Sequence, residues 1–324
     1  ALTAVGSGAL KDNTTGGSNS AFGQNALENN TTGADNTAMG TSLLTNTTGS
    51  SNSALGYIAL YANSTGSFNT ALGKEALRSN TTASYNTAAG YQALTSNIIG
   101  LENAAFGFRA LDVNLASYNN AFGSETLGSN TTGSANTAIG HAALALNTTA
   151  SYNTAVGYQA AYSNTTGNKN VVVGHRAFYD GQASSRNTIV GYEAGYTINL
   201  SGNSHNVAMG YRSMYTTTSG YSNVAVGAYS LDSNTTGNQN TSIGHDTLTS
   251  ATTASNNTAV GSGAGYNLTT GFLNVAIGSG SLTAATTSSE NVAVGQGAGQ
   301  SITTNGQNTL IGRDAGDATT GDAN

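Results

Sequence analysis

One five-residue phrase, Asn-(Thr/Ser/Val)-Ala-apolar-Gly, governs this chain. It recurs, with small variations, nineteen times in 324 residues, closing at Gly6, Gly23, Gly40, Gly56, Gly73, Gly90, Gly107, Gly123, Gly140, Gly157, Gly174, Gly191, Gly210, Gly227, Gly244, Gly261, Gly278, Gly295 and Gly312. Successive glycines lie 17 residues apart, with two gaps of 16 and one of 19. So strict a period specifies like units stacked in a row, each touching only its neighbours, and not a globular core around a cleft. A chain of this length would ordinarily be read as two domains. No linker composition interrupts the period, so residues 1–324 read as a single continuous array.

Composition enters where it removes alternatives. Abundant Asn, Thr, Ser and Gly is also the signature of disorder, but disordered chains lack apolar columns phased to within a residue. With no Cys there is neither a disulfide framework nor a thiolate metal site. Charged residues make up only 7% of the chain, so solubility rests on neutral polar side chains. A net charge of −6 with nine scattered basic residues argues against nucleic acid. No apolar stretch approaches the ~18 residues of a membrane helix. Leu2 already occupies the first position of a repeat and Asn324 falls partway through another, with no polar capping unit. The chain therefore reads as a segment of a longer, exported fibrous protein.

Numbered from its Asn, the repeat is N-T-A-φ-G-Y-x-A-L-x-x-N-T-T-G-x-x, where φ is apolar. Alternation along a strand sends positions two and four to one face and position three to the other. Both faces are apolar, most clearly in Val171-Val172-Val173 and Thr309-Leu310-Ile311. A strand of that kind is ordinarily covered on both sides. A thin solenoid covers one side of its own strand, so the other calls for a partner, most simply a second copy of the chain. The alternative is that Ala at position three is merely a small, tolerated surface residue. In three copies Leu at position nine is replaced by glycine, at Gly195, Gly265 and Gly299, and each time an apolar residue appears three places later, at Ile198, Leu268 and Ile302. That exchange is what one shared interior column would produce. Asn-Thr-Thr-Gly segments supply turns, and stacked Asn and Thr can bond from coil to coil. The result is an all-β parallel β-solenoid of about nineteen coils, with roughly 4.8 Å per coil and thus about 90 Å of stack.

The segment Asn136-Thr-Ala-Ile-Gly-His-Ala-Ala-Leu resembles the head repeats of YadA-type trimeric autotransporter adhesins. The fuller form, Asn153-Thr-Ala-Val-Gly-Tyr-Gln-Ala-Ala-Tyr-Ser-Asn-Thr-Thr-Gly, resembles repeats of tail-fibre-like adhesive trimers of the mosaic type. The resemblance spans essentially the whole chain and implies a left-handed β-roll, three copies side by side, in an extracellular fibre for surface attachment. The 17-residue unit is longer than the adhesin repeat, which leaves turn shapes and axial packing open.

Catalytic constellations are missing from the sequence: there is no G-x-S-x-G, no H-E-x-x-H, no P-loop and no acidic calcium repeat. His141, His175 and His245 share position six but lie two and four coils apart, roughly 10 and 20 Å, too far to grip one metal ion. His205 stands apart from them. On an extended strand His245 and its neighbour Asp246 would face opposite ways. The expectation is therefore no enzyme, no cofactor and no metal. Tyr57, Tyr91, Tyr158, Tyr192, Tyr211 and Phe108 also occupy position six. Such a column either steadies neighbouring strands or offers flat apolar area to a cell-surface glycan or protein. Tyr158, Tyr192 and Tyr211 are the candidate ligand contacts. The functional expectation is the shaft or head of an extracellular homotrimeric fibre mediating attachment to host, prey or substrate. The alternatives are a self-assembling extracellular filament subunit and an ice-binding solenoid with Thr ladders.

Overall fold

The computed structural model describes residues 1–41 and 43–317 of the chain. It is a parallel β-solenoid of about 18 turns and contains no helix among the described residues. The chain divides into two compact units, Ala1–Val156 and Gly157–Asn324. The first holds ten strands, from β1 (Thr3–Val5) to β10 (Thr154–Val156). Each is three residues long and pairs in parallel with the next, so that Thr3, Ala4 and Val5 face Ser20, Ala21 and Phe22 and the same register repeats upward. In the second unit the main strands run from β11 (Val171–Val173) to β21 (Thr309–Ile311) in the same register. Coils are numbered below by their phrase, coil one closing at Gly6.

Each strand turns position three inward and positions two and four outward, because side chains alternate at a period of two. Ala21, Ala38, Ala105 and Val172 are fully buried, and position-nine leucines such as Leu27, Leu77 and Leu144 lie against them. An Ala-and-Leu interior is thin, which lets a coil of 17 residues close upon itself.

The backbone achieves that closure unusually. Position nine adopts a left-handed conformation even when it is leucine, with φ of 51° at Leu77 and 52° at Leu144. That costs an L-residue about 1–2 kcal/mol, while burying the leucine side chain returns about 1.5–3 kcal/mol. The twisted peptides also reach neighbouring coils: the Leu77 amide donates to the Ala93 carbonyl at 3.0 Å. Glycine at position five is demanded by crowding. Gly73 has φ of +126°, and a Cβ there would stand 2.7 Å from the Gly90 carbonyl oxygen.

Two buried asparagine ladders complete the coil. At position one, the Asn86 amide donates to Asn69 Oδ1 at 3.0 Å, and Asn103 in turn donates its amide and its Nδ2 to Asn86 Oδ1 at 3.0 and 3.1 Å. At position twelve, Asn63 Nδ2 donates to Asn46 Oδ1 and receives the same bond on its own Oδ1 from Asn80, both at 2.8 Å. The ladders meet on the position-fifteen carbonyl: Gly66 O accepts from both Asn52 and Asn63 at 2.9 Å.

From coil eleven onward the position-twelve ladder gives way to other residues. Ile198, Leu268 and Ile302 are buried in its place, opposite Gly195, Gly265 and Gly299, which is the exchange expected of one interior column. Phe178 with Gly181 does the same, since a Cβ on Gly181 would lie 2.3 Å from the Phe178 ring. The 19-residue coil bulges without breaking the stack. Gly202–Asn203 pairs in parallel with Ser184–Ser185, and Val207 resumes its register opposite Thr188.

Candidate functional surface

The outward residues sort into columns, because every coil repeats the same backbone. The position-four column is apolar and uncovered. Leu55, Leu72, Phe122, Ile139, Val173 and Ile277 are all exposed on the single chain, Val173 by 38% against 0% for its neighbour Val172. The alternative that Ala at position three is a small surface residue is thereby set aside. Position three is enclosed by the chain itself, and position four is the face that lacks a cover.

Position six forms an aromatic ladder in the second unit. Tyr158, His175, Tyr192 and Tyr211 follow one another with ring centroids 5.1, 4.9 and 5.3 Å apart and planes within 15° of parallel. The three candidate tyrosines therefore share one ladder, with His175 inserted between the first two. Stacking occupies ring faces and leaves edges and hydroxyls to solvent, although each of the three is more than 40% exposed.

A second ladder was not singled out from the sequence. Tyr162, Tyr179, Tyr196 and Tyr215 at position ten stack at 5.1, 5.2 and 5.0 Å. Its signal was present in the recurrence of those tyrosines at position ten, at gaps of 17, 17 and 19 residues. Position-seven arginines lie over it: the Arg176 guanidinium is 4.6 Å from the Tyr179 ring and 5.1 Å from Tyr196, and that of Arg212 is 4.0 Å from Tyr215. Burial pushes the Tyr196 hydroxyl above its ordinary pKa, opposed by the nearby Arg176.

Titratable groups do not converge. Among the described residues no three His, Cys, Asp or Glu are grouped so as to hold a metal ion. One sequence expectation is corrected here. His245 and Asp246 do not diverge, because they sit in a turn with Asp246 left-handed at φ 55°, and His245 Nδ1 lies 3.0 Å from Asp246 Oδ2. Both are solvated, so the pair is a surface contact. Burial holds the Asp232 carboxyl above its usual range, with Arg212 opposing and Asp246 adding to the rise. Its Oδ1 has no hydrogen-bond partner. No described helix is long and apolar enough to cross a membrane.

No protein-family model matches the chain, and a comparison with curated proteins finds no relative.

Proposed function

We propose that this chain is a shaft or head segment of an extracellular fibre that assembles as a homotrimer and mediates attachment to a host, prey or substrate surface. The observation that carries the reading is the uncovered apolar column at position four. Monomeric proteins rarely expose long contiguous apolar surface, and such surface marks interaction sites. At roughly 60–70 Å² per coil, the ten strands of the first unit alone offer about 600–700 Å², close to the ~800 Å² per partner of a stable protein interface. A column with one residue per coil is matched in spacing by the same column on an identical chain. The resemblance to trimeric adhesin repeats supports three copies, a left-handed roll and an extracellular setting.

The proposed role is steric and adhesive. Each coil restates the same strand, and the position-one Asn recurs from coil two onward, so stiffness is specified many times over, which suits presenting a contact surface at a distance. Glycan or protein contacts belong on the outward columns, with Tyr158, Tyr192 and Tyr211 offering a row of hydroxyls and ring edges. Multiplying a weak contact along three chains raises attachment by avidity. Sedimentation equilibrium tests the assembly: a mass three times that of the 32.3 kDa chain is expected. A monomer at micromolar concentration overturns the reading, and an open polymer replaces it with the filament alternative.

A further inference from the structure

In the first unit the chain carries a second kind of aromatic site, where ring faces are not taken up by stacking. Tyr57 and Tyr61, at positions six and ten of coil four, stack on no other ring among the described residues, and both are exposed. Together with Ile58, Ala62, Arg78 and Ser79 they line an open cleft of ≈ 560 Å³.

Two local departures from the repeat open it. Coil three, closing at Gly40, is one of the two 16-residue coils. Elsewhere the position-eleven amide donates to the position-ten carbonyl of the next coil, as Ala62 does to Arg78 and Ser79 to Thr95. In coil three it is Thr45, only nine residues after Asn36, that donates to Tyr61 O. Thr45 thus fills position eleven, and coil three has no position-ten residue. Tyr61 has no ladder neighbour on its N-terminal side. At position seven, where Arg176 and Arg212 lie across the second unit's tyrosines, coil four has the shorter, uncharged Ile58.

The charges select the guest. An aromatic face is the negative pole of the ring and accepts either a cation or the polarised C–H face of a saturated ring. Coil five brings two cations to this region, Lys74 and Arg78, against one carboxylate, Glu75. Glu75 is already engaged: it accepts from Gln92 Nε2 at 2.8 Å and lies 3.5 Å from Lys74 and 3.7 Å from Arg78. Lys74 leans to the next coil, 5.4 Å from the Tyr91 ring. The Arg78 guanidinium makes only that long contact to Glu75, which leaves most of its planar fork open to a carboxylate. A cationic guest is disfavoured and an anionic one favoured, on a chain whose net charge is −6.

We infer that the cleft of Tyr57, Tyr61 and Arg78 binds an acidic pyranose unit of an anionic polysaccharide. The C–H face of the sugar lies on a tyrosine ring, its carboxylate meets Arg78, and its hydroxyls meet the Tyr57 hydroxyl and Ser79. The inference deepens the attachment reading and rests on it for biological meaning. The cleft shares no lining residue with the uncovered strip of Met39, Leu55 and Leu72.

The test is calorimetric titration of the whole chain at low salt with a trigalacturonate probe, and with maltotriose as the neutral counterpart. Saturable binding of trigalacturonate is expected with Kd of about 0.1–10 mM, the range of a weak single contact. Tyr61→Ala and Arg78→Gln should each raise Kd at least ~10-fold, while Tyr152→Ala, at an exposed tyrosine outside the cleft, leaves it unchanged. Tyr61→Ala keeps the Tyr61 carbonyl that accepts from the Thr45 amide and hydroxyl, and circular dichroism checks that each variant folds. Should Tyr61→Ala misfold, Arg78→Gln alone decides. No saturation by trigalacturonate, equal binding of maltotriose, or an Arg78→Gln variant that binds as the wild type does overturns the proposal. Sedimentation of the same samples separates the two readings: a trimer that binds no uronide refutes only the cleft, and a uronide-binding monomer refutes only the fibre.

Discussion

Asn63 and Asn234 occupy the same position of the repeat, each three residues after a buried leucine, Leu60 and Leu231. Replacing each with Ala should have opposite consequences. Asn63 stands mid-ladder: its amide donates to Asn46 Oδ1 and Gly66 O, and its oxygen accepts from Asn80. In Asn63→Ala, Gly66 O keeps the bond from Asn52 and Asn80 keeps its bond to Ala83 O. The loss is two ladder bonds at about 1 kcal/mol each, the shared bond to Gly66 O at about 0.5–1 kcal/mol, and a stranded Asn46 Oδ1 at about 1–3 kcal/mol, for a total near 3.5–6 kcal/mol. Asn234 has Thr217 and Ala251 at the matching positions of its neighbouring coils. Its Oδ1 is buried without a partner, and its amide only shares Gly237 O with Asn223. Asn234→Ala gives up about 0.5–1 kcal/mol of a shared bond and removes an orphan worth about as much or more, so it should lie between neutral and stabilising by ~1 kcal/mol. Alanine is the native residue one coil later, at Ala251. Urea unfolding followed by circular dichroism, with hydrogen exchange to localise the change, reads both variants. If the two substitutions differ by less than about 1 kcal/mol, ladder continuity is not what stabilises the buried asparagines.

Three further outcomes follow from the same geometry. Val172→Asp should abolish folding of its coil, since a buried unpaired carboxylate costs several kcal/mol, whereas Val173→Asp should keep the β circular dichroism signal and lower the sedimentation mass. Deleting Gly202 and Asn203, which lie in the exposed bulge, should leave hydrogen-exchange protection of the flanking coils intact, because the register of Thr188 with Val207 does not run through them. Burial raises the Asp232 pKa, so the folded chain holds that proton more tightly than the unfolded chain does and stability falls as pH climbs from the unfolded value through the folded one. Asp232→Asn should therefore raise the melting temperature at about pH 7 and leave it unchanged at about pH 2, where both states are protonated.

Much of the coil could be read from one repeat. The Ala of position three, the interior exchange of Gly195 with Ile198, and the turn at Gly202 all follow from pattern and steric size. The candidate contacts at Tyr158, Tyr192 and Tyr211 were legible as a column. With His175 at the same position between the first two, the sequence left open whether that column steadies neighbouring strands or offers its ring faces, and the stacking distances show the faces engaged. The cleft at Tyr57 and Tyr61 was not legible. A missing residue in coil three is visible as a gap of 16, but only the bond from Thr45 to Tyr61 shows that position ten is the one omitted.

The sequence by itself determined the period, the parallel stack and a strand apolar on both faces, because a 17-residue recurrence stacks every copy on its like; which of the two faces lies outside was decided by the structure. The tertiary structure alone decided which polar residues go inside. Asparagine is ordinarily a surface residue, and nothing local to Asn52 or Asn63 marks them as core. They are buried because an identical side chain lies one coil below and another one coil above, so each donor finds an acceptor at hydrogen-bond distance. The left-handed leucines were hidden for the same reason: a backbone that is unfavourable for an isolated residue becomes favourable when adjacent coils bond the peptides it turns toward them.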